Sequence, residues 1–242
     1  MALKKKHVVI MMLLMVVTIS YAQDFKKPVW SGSRDIKKVA LTFDDGPFDP
    51  QTSELLGILK KYNAKASFFV VGDSARKNPH LLKKIINEGH ELANHTFSHR
   101  RLDTLTKKEI RKEMVNAEKI VSEITGKKMT YFRPPGGRYN QIVLEVASDL
   151  HLKTVLWDVN AGDYRYQKQT DDNGERLLEP VIYQRSSDII LSSVMAKTKN
   201  GSIILFHNIG GETPKALAVL LASLKEKGIE CVTLSGLLEK KS

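Results

Sequence analysis

Carboxylates, imidazoles and a guanidinium recur in five short segments of this 242-residue chain. These segments cover residues 42–47, 95–99, 133–137, 157–164 and 205–207. Imidazole and carboxylate side chains bind divalent metal ions, and both also transfer protons near neutral pH. The five segments together therefore contain the groups that a metal-dependent hydrolase needs.

His95 and His99 lie four residues apart in the second segment. On a helical turn their Cβ atoms would be about 5–6 Å apart, whereas along a strand they would be roughly 13 Å apart. We therefore expect a helical turn between them, at the end of a strand that precedes His95. Such a pair is also typical of a surface, or of a core position without a metal, so both interpretations stay open on spacing alone.

Asp44 and Asp45 follow a short apolar strand predicted over residues 38–43, and Gly46 and Pro47 come next. In a continuous strand the two carboxylates would point to opposite faces, but a Gly-Pro turn can let both reach one cavity. Carboxylates this close repel each other unless a cation compensates. A metal on one and an arginine beside the other would satisfy that condition, while an ordinary polar turn is the alternative.

In this order the five segments resemble the polysaccharide deacetylase family, the NodB-homology domain of carbohydrate esterase family 4, over about residues 38–238. The resemblance implies an α/β fold, a distorted (β/α) barrel of about seven parallel strands that forms a single catalytic domain. It also implies a hydrolase that removes N- or O-acetyl groups from a sugar polymer. Of these we expect an N-deacetylase, which acts on carbon–nitrogen bonds other than peptide bonds.

The resemblance assigns Asp45, His95 and His99 as ligands of one divalent metal ion. Two imidazoles and one carboxylate suit Zn²⁺, although Co²⁺, Ni²⁺, Fe²⁺ or Mn²⁺ can occupy such a site. The metal would polarise the acetyl carbonyl and lower the pKa of a bound water.

The catalytic residues that the resemblance implies are Asp44, Arg133, Asp163 and His207. Asp44 matches the general base, kept ionised by Arg133, and His207 matches the general acid that protonates the leaving group. Asp163 is the expected partner of His207, because a carboxylate on the other ring nitrogen orients an imidazole and favours its protonated form.

Substrate contacts are expected at Pro135, Gly136, Tyr164 and Leu205. The backbone N–H near Gly136 would be an oxyanion donor, and Leu205 and Tyr164 would form apolar walls around the acetyl methyl. The chain departs from the family where Gly136 replaces an aromatic residue. It also has Asn160 where aspartate is common and Tyr164 where tryptophan is common, so we expect retained catalysis with an altered substrate fit.

Strand-like and helix-like segments alternate along the chain and predict βα units with a parallel sheet. The predicted strands are residues 38–43, 66–71, 91–94, 154–157 and 202–206, and the predicted helices are residues 78–88, 106–124 and 213–227. The candidate residues fall at the carboxyl ends of the strands, where such barrels place their chemistry. Polar residues 165–185 are expected to form a surface loop that borders the cleft.

The amino terminus has the pattern of a secretory signal peptide over residues 1–22, with three lysines, an apolar run and small residues before the cut. The run is shorter than the ~20 residues of a spanning helix, so an uncleaved anchor is the less favoured alternative. We expect a secreted, periplasmic or cell-wall-associated protein with no membrane span after cleavage. Residues 23–37 would be an exposed lead-in and residues 38–242 the catalytic domain.

Loss of the three lysines would reduce the formal charge from +11 to +8, with 35 basic and 27 acidic residues. A basic protein favours an anionic matrix such as a cell wall, and no recognition motif indicates nucleic acid. The single cysteine, Cys231, excludes an intramolecular disulfide and is expected to be a small core residue.

The predicted substrate is an N-acetylated polysaccharide, first of all the N-acetylglucosamine of peptidoglycan, bound by a monomer. Chitin oligomers, another exopolysaccharide and O-acetylated xylan are the alternatives, because the motif residues surround only the acetyl group. A non-catalytic glycan-binding protein on the same fold is the alternative from a different class.

Overall fold

The computed structural model describes residues 25, 27–167, 181–208 and 211–239, with the backbone alone at 164–167 and 181–184. The predicted signal peptide and the central part of the predicted 165–185 loop lie outside these residues. Within the described ranges, none of the helices combines the length and the apolar character that a bilayer crossing requires.

Strands and helices alternate as the sequence pattern predicted. The described strands are β1 (Lys38–Asp44), β2 (Ser67–Val70), β3 (Glu91–Asn94), β4 (Tyr131–Phe132), β5 (Lys153–Thr154), β6 (Val159–Asn160), β7 (Tyr164–Gln167), β8 (Val181–Gln184), β9 (Ile203–His207) and β10 (Glu230–Val232). The described α-helices are α1 (Gln51–Lys61), α2 (Gly72–Lys77), α3 (Pro79–Asn87), α4 (Lys107–Thr125), α5 (Gln141–Asp149), α6 (Ser187–Lys197), α7 (Thr213–Glu226) and α8 (Leu234–Leu238), with 3₁₀ turns at Leu102–Thr104 and Pro135–Gly137.

The strands form one parallel sheet in the order β5-β4-β3-β2-β1-β9-β6, and β10 pairs with the start of β1. This arrangement confirms the predicted barrel of parallel strands with helices around it. The pair β7 and β8 forms a separate antiparallel ribbon at the two ends of the predicted 165–185 loop.

The chain before β1 closes the open side of this sheet. Val29 bridges Val155 next to β5, at one edge, and Ser31 bridges Ser202 before β9, near the other edge. The predicted strand over residues 154–157 is correspondingly shorter in the structure, because the N–H of Leu156 donates to the carbonyl oxygen of Val29 instead of to a sheet strand.

β1 is buried on both faces, as is typical of a central parallel strand. Its Phe43 stacks between Phe68 and Phe206, with ring centroids 5.2 and 5.6 Å away, in the core between the sheet and the helices. Alternate residues of the strand face the barrel interior. Asp44 therefore enters the interior at the carboxyl end of the sheet.

Helix α4 begins and ends at residues with well-known capping roles. Thr106 and Glu109 form a capping box at its start, and Gly126 ends it in the left-handed conformation at φ 68°. The predicted helix over residues 106–124 is therefore confirmed within one residue at each end. Its buried side carries one charged residue, Glu113, among apolar ones.

Buried His90, just before β3, makes the stability of the fold depend on pH. Its Nδ1 accepts the N–H of Ala66 at 3.2 Å, and burial, aided by nearby Lys65, lowers its pKa to about 4. The unfolded chain binds a proton there near pH 6.5, so stability is present above that pH and is lost as the pH falls toward 4.

Acidification from pH 7.5 to pH 5 should lower the free energy of unfolding of the unchanged protein by about 2 kcal/mol more than that of the His90→Gln variant. Gln cannot take up the proton, so that contribution disappears. Urea unfolding at both pH values measures the difference, and His80→Gln, which removes an exposed histidine, is the control. Equal losses for the unchanged protein and the His90 variant would contradict this role of His90.

Candidate active site

The candidate residues lie together at the carboxyl ends of the parallel strands. Asp44 ends β1, His207 ends β9, His95 directly follows β3 and Arg133 directly follows β4. Asp163 lies three residues beyond β6. This is the location that the alternating pattern of the sequence indicated.

Asp45, His95 and His99 form a compact group of potential metal ligands. One oxygen of Asp45, Oδ1, lies 3.4 Å from Nε2 of His95 and 3.1 Å from Nε2 of His99. One ligand atom from each residue lies within 4.8 Å of the others. His95 is buried, whereas 38% of the His99 side chain is exposed, so the group is accessible from the side of His99.

The backbone between the two histidines differs from the predicted helical turn, and that prediction is wrong. Residues 95–99 form a loop in which Thr96 and His99 adopt left-handed conformations, at φ 68° and 57°. Side-chain oxygens, not helical carbonyls, accept the N–H groups of residues 96–99. The histidines therefore converge through a reversal of the chain that spacing could not indicate.

The donor groups fit a divalent ion. The ring of His95 uses Nδ1 for a 2.8 Å hydrogen bond to the carbonyl oxygen of Arg133. With a hydrogen on Nδ1, Nε2 on the Asp45 side of the ring is the nitrogen that can offer a lone pair to a metal, which is the tautomer that a metal-binding histidine needs. Two imidazoles and a carboxylate form a donor set that suits zinc and neighbouring transition metals.

The charges of the group favour an anionic Asp45. Burial by itself would raise the pKa of Asp45, but hydrogen bonds from His95 and His99 hold it well below its ordinary range. Burial likewise opposes protonation of His95, yet the carboxylates of Asp44 and Asp45 raise the pKa of His95 above its usual value. Without a metal, a protonated His95 is therefore favoured, and it balances part of the negative charge of these aspartates.

Asp44 is held by a completely buried arginine. Nη1 of Arg133 donates to Oδ1 of Asp44 at 2.7 Å and to Oγ1 of Thr42 at 2.9 Å. Its Nε and Nη2 donate to the carbonyl oxygens of Val155 and Leu156. Burial lowers the pKa of Arg133, and the adjacent Asp44 opposes that shift. The second oxygen of Asp44, Oδ2, lies 3.7 Å from Nε2 of His95.

Aromatic rings cover the Arg133 guanidinium. Its Cζ lies 4.0 Å from the ring centroid of Phe69 and 5.4 Å from that of Trp157. Trp157 in turn requires Gly137, because a Cβ at that position would lie 2.7 Å from the indole, on a backbone with φ 67°. A side chain at residue 137 would therefore displace the ring that covers Arg133.

His207 is paired with Asp163 as the sequence predicted. Its Nδ1 lies 2.8 Å from Oδ1 of Asp163, while Oδ2 accepts the His207 backbone N–H at 2.7 Å and the Thr213 hydroxyl at 3.0 Å. Burial opposes protonation of the ring, but the Asp163 carboxylate raises the pKa of His207 above its ordinary value. An imidazolium is thereby favoured beside the aspartates.

Three of the four predicted substrate-contact residues lie at or near the carboxyl ends of β4 and β9. Pro135 and Gly136 lie in the 3₁₀ turn after β4, with Gly136 at φ 62°. Leu205 is buried in β9, two residues before His207 and on the same face. Tyr164 begins β7, and its side chain lies outside the part of the chain that the structure describes.

Several residues that hold the site were not identified from the sequence. Thr213, at the start of α7, contacts Asp163, and Phe69 covers Arg133. A threonine followed by proline indicates only a helix start, and Phe69 has the pattern of any buried strand residue. Glu113 had a usable signal, because a carboxylate on the apolar side of an amphipathic helix needs a buried partner.

Comparisons with known proteins agree with this geometry. The family model described as polysaccharide deacetylase matches residues 31–155. A peptidoglycan-N-acetylglucosamine deacetylase of Listeria monocytogenes, PgdA, is 33% identical over 216 residues, which are 89% of this chain and 42% of that protein. A peptidoglycan-N-acetylglucosamine deacetylase of Bacillus cereus is 32% identical over 215 residues, which are 88% of this chain and 93% of that protein.

Among solved structures, BA3943 from Bacillus anthracis is described as a pseudoenzyme of carbohydrate esterase family 4. It is 28% identical with a TM-score of 0.77, and the match covers 88% of this chain and 69% of that one. A mutant of BA3943 is described as having restored enzymatic activity. This chain thus spans less than half of the Listeria protein but nearly all of the Bacillus cereus relative. By the family match and by these relatives, the chain belongs to the polysaccharide deacetylase family.

Proposed function

We propose that this protein is a metal-dependent deacetylase that removes N-acetyl groups from the N-acetylglucosamine of peptidoglycan. The observation that carries the proposal is the convergence of three groups at one end of the barrel. They are the ligand set Asp45, His95 and His99, the buried pair of Asp44 with Arg133, and the pair of His207 with Asp163.

The proposed metal is one Zn²⁺ held by Asp45, His95 and His99. When bound there, a divalent ion supplies Lewis-acid polarisation of the acetyl carbonyl and acidifies water. The residues around it supply the proton transfers. Asp44 accepts a proton from the attacking water through Oδ2, because Oδ1 already accepts the hydrogen bond from Arg133.

His207 supplies the second proton. Its Nδ1 is held by Asp163, so the opposite nitrogen, Nε2, is the one that can donate to the departing nitrogen. The water oxygen becomes bonded to the acetyl carbon, the carbon–nitrogen bond breaks, and the nitrogen takes the His207 proton. One water is consumed, and acetate and a protonated amine are the products once the proton on Asp44 has been passed on and His207 is again protonated.

The site groups favour catalysis over the non-catalytic alternative. BA3943 is described as a pseudoenzyme, and its fold resembles that of this chain, so the fold alone is no argument for turnover. The support lies in the side chains, since the proposed base, ligands and acid are all present and oriented by buried partners. Activity here is therefore argued from Asp44, Asp45 and His207 rather than from resemblance of shape.

Peptidoglycan is proposed as the substrate because the relatives from Listeria monocytogenes and Bacillus cereus are named for it. The positive formal charge suits an anionic wall matrix. Export through a cleaved signal peptide at residues 1–22, with a catalytic domain over residues 38–242, is part of the same proposal. Chitin oligomers and O-acetylated xylan are the competing substrates.

Acetate release should occur with peptidoglycan and should stop after chelation, because the proposed reaction needs the metal. Addition of Zn²⁺, Co²⁺ or Ni²⁺ to separate samples of stripped protein should restore it. Chitin oligomers and acetylated xylan serve as parallel substrates, and hydrolysis of the treated peptidoglycan separates glucosamine from muramic acid as the new amine. Release from xylan alone, or from no polymer despite a bound metal, would contradict the proposed function.

Asp44→Asn should reduce kcat by about 10²–10⁴-fold, the contribution of a positioned general base. The amide oxygen can still accept from Arg133, so zinc affinity measured by calorimetry should change little. Thr42→Val removes the neighbouring acceptor of Arg133 together with a donor to the Ile204 carbonyl oxygen, and leaves Asp44 in place. It is therefore the control for disturbance of the arginine. Retention of activity by the Asn variant would reassign the base.

His207→Ala should lower kcat by about 10²–10⁴-fold if His207 protonates the leaving group. Asp163→Asn keeps the imidazole but removes the charge that raises its pKa. The acid form should then be lost at lower pH, so the alkaline limb of the kcat profile should move toward lower pH. An unchanged limb in the Asn variant would show that Asp163 does not set the protonation of His207.

A further inference from the structure

The loop that carries the two histidines has an unfavourable backbone. Thr96 and His99 both have positive φ angles, 68° and 57°, which residues with a Cβ adopt rarely. The orientation of His99 toward Asp45 depends on that backbone, because φ of residue 99 directs its own side chain. The contacts that stabilise this loop therefore also set the geometry of the ligand group.

Two of the loop's N–H groups donate hydrogen bonds to one carboxylate, that of Glu113 in helix α4. Oε2 of Glu113 accepts the N–H of Phe97 at 3.1 Å and the N–H of Ser98 at 2.8 Å. Oε1 accepts the Ser98 hydroxyl at 2.7 Å. Both oxygens of this buried side chain are thus bonded to the middle of the loop.

Other groups complete the support of the loop. The N–H of Thr96 donates to Asn94 Oδ1 at 2.9 Å, and the N–H of His99 donates to Thr96 Oγ1 at 3.1 Å. All four N–H groups from residue 96 to residue 99 therefore bond to side-chain oxygens. The carbonyl oxygens of residues 96 and 97 accept from the first two N–H groups of α2, each at 2.9 Å.

Glu113 differs from the other supports because it comes from another element of the fold, helix α4. Asn94 and Thr96 are local, whereas Glu113 follows the loop by 14 or more residues on the buried side of α4, next to Met114 and Ala117. A carboxylate on that apolar side is unfavourable unless donors satisfy it. The loop supplies three donors, so helix and loop require each other.

We propose that Glu113 is a positioning residue for the metal centre, which holds loop 96–99 in the conformation that directs His99 at Asp45. The inference rests on the proposed metal-dependent function, and it adds a residue that contacts neither metal nor substrate. Loss of the carboxylate frees the Phe97 and Ser98 N–H groups and lets residues 96 and 99 relax. His99 then no longer lies beside Asp45.

Glu113→Leu should weaken zinc binding by about 10–100-fold, the effect of losing a group that orients a ligand. Glu113→Gln should bind zinc nearly as the unchanged protein does, because its amide oxygen can accept both backbone N–H groups and its NH₂ can donate to Ser98. Calorimetric titration of the stripped protein with Zn²⁺ measures this without any substrate.

Glu118→Leu is the matched control. Glu118 lies on the same helix, is half-buried and also accepts a backbone N–H, but the donor is Met129, outside the loop. Its loss should destabilise the protein without changing zinc affinity. If the Glu113→Leu variant does not fold by circular dichroism, Glu113→Asp replaces it, since the shortened side chain keeps the charge but cannot reach the loop.

Equal zinc affinity of a folded Glu113→Leu or Glu113→Asp variant and the unchanged protein would overturn the inference. Equal weakening by Glu118→Leu would also overturn it, because the effect would then be general destabilisation. Zinc binding that depends on Glu113 without acetate release from any polymer would contradict only the proposed function. An unchanged protein that binds no divalent metal would contradict both proposals.

Discussion

The buried guanidinium of Arg133 is the interaction on which the rest of the site depends. It joins the carboxyl end of β1, through Thr42 and Asp44, to the carbonyl oxygens that follow β5. The backbone carbonyl of the same residue accepts from His95. One residue therefore orients the proposed base and one proposed metal ligand. A buried cation is tolerated only when it is fully paired, and these contacts supply that pairing.

The register between neighbouring strands brings the base and the acid together. β1 and β9 are parallel neighbours in which Asp44 lies opposite His207, and adjacent strands are only about 4.8 Å apart. A slip of one residue would turn one of the two side chains to the other face of the sheet. Asn208 adds a second constraint, because a Cβ at Gly46 would overlap its amide. The ends of both strands are thus held in one arrangement.

The two histidines of the proposed ligand group differ in burial and in the contacts that hold them. His95 is buried and is hydrogen-bonded to the carbonyl oxygen of Arg133. His99 lies on a loop whose N–H groups donate to side-chain oxygens of Asn94, Thr96 and Glu113. The carboxylate of Asp45 lies between them on a left-handed residue of its own, at φ 76°. The site therefore combines a buried strand end with a loop that local side chains and one carboxylate of helix α4 hold in shape.

The sequence by itself indicated the main elements and the residue types of the proposed site. Alternation of strand-like and helix-like segments predicted βα units with a parallel sheet, and the helix predicted over residues 106–124 agrees with α4 within one residue at each end. Strand ends followed by Asp44, His95, Arg133 and His207 placed these residues on one rim, because parallel strands all end on the same side. These features depend on local propensity and on the period of the hydrophobic pattern, which a single chain displays.

Only the tertiary structure decided how these groups face one another. Between His95 and His99 the structure has a loop with left-handed Thr96 and His99 in place of the predicted helical turn, and Glu113 of helix α4 accepts the N–H groups of the two residues between them. The stacking of Phe69 and Trp157 on Arg133, and the hydroxyl of Thr213 on Asp163, likewise join residues far apart in the chain. Such contacts leave no periodic signal, because their free energy comes from groups that meet only after the barrel has closed.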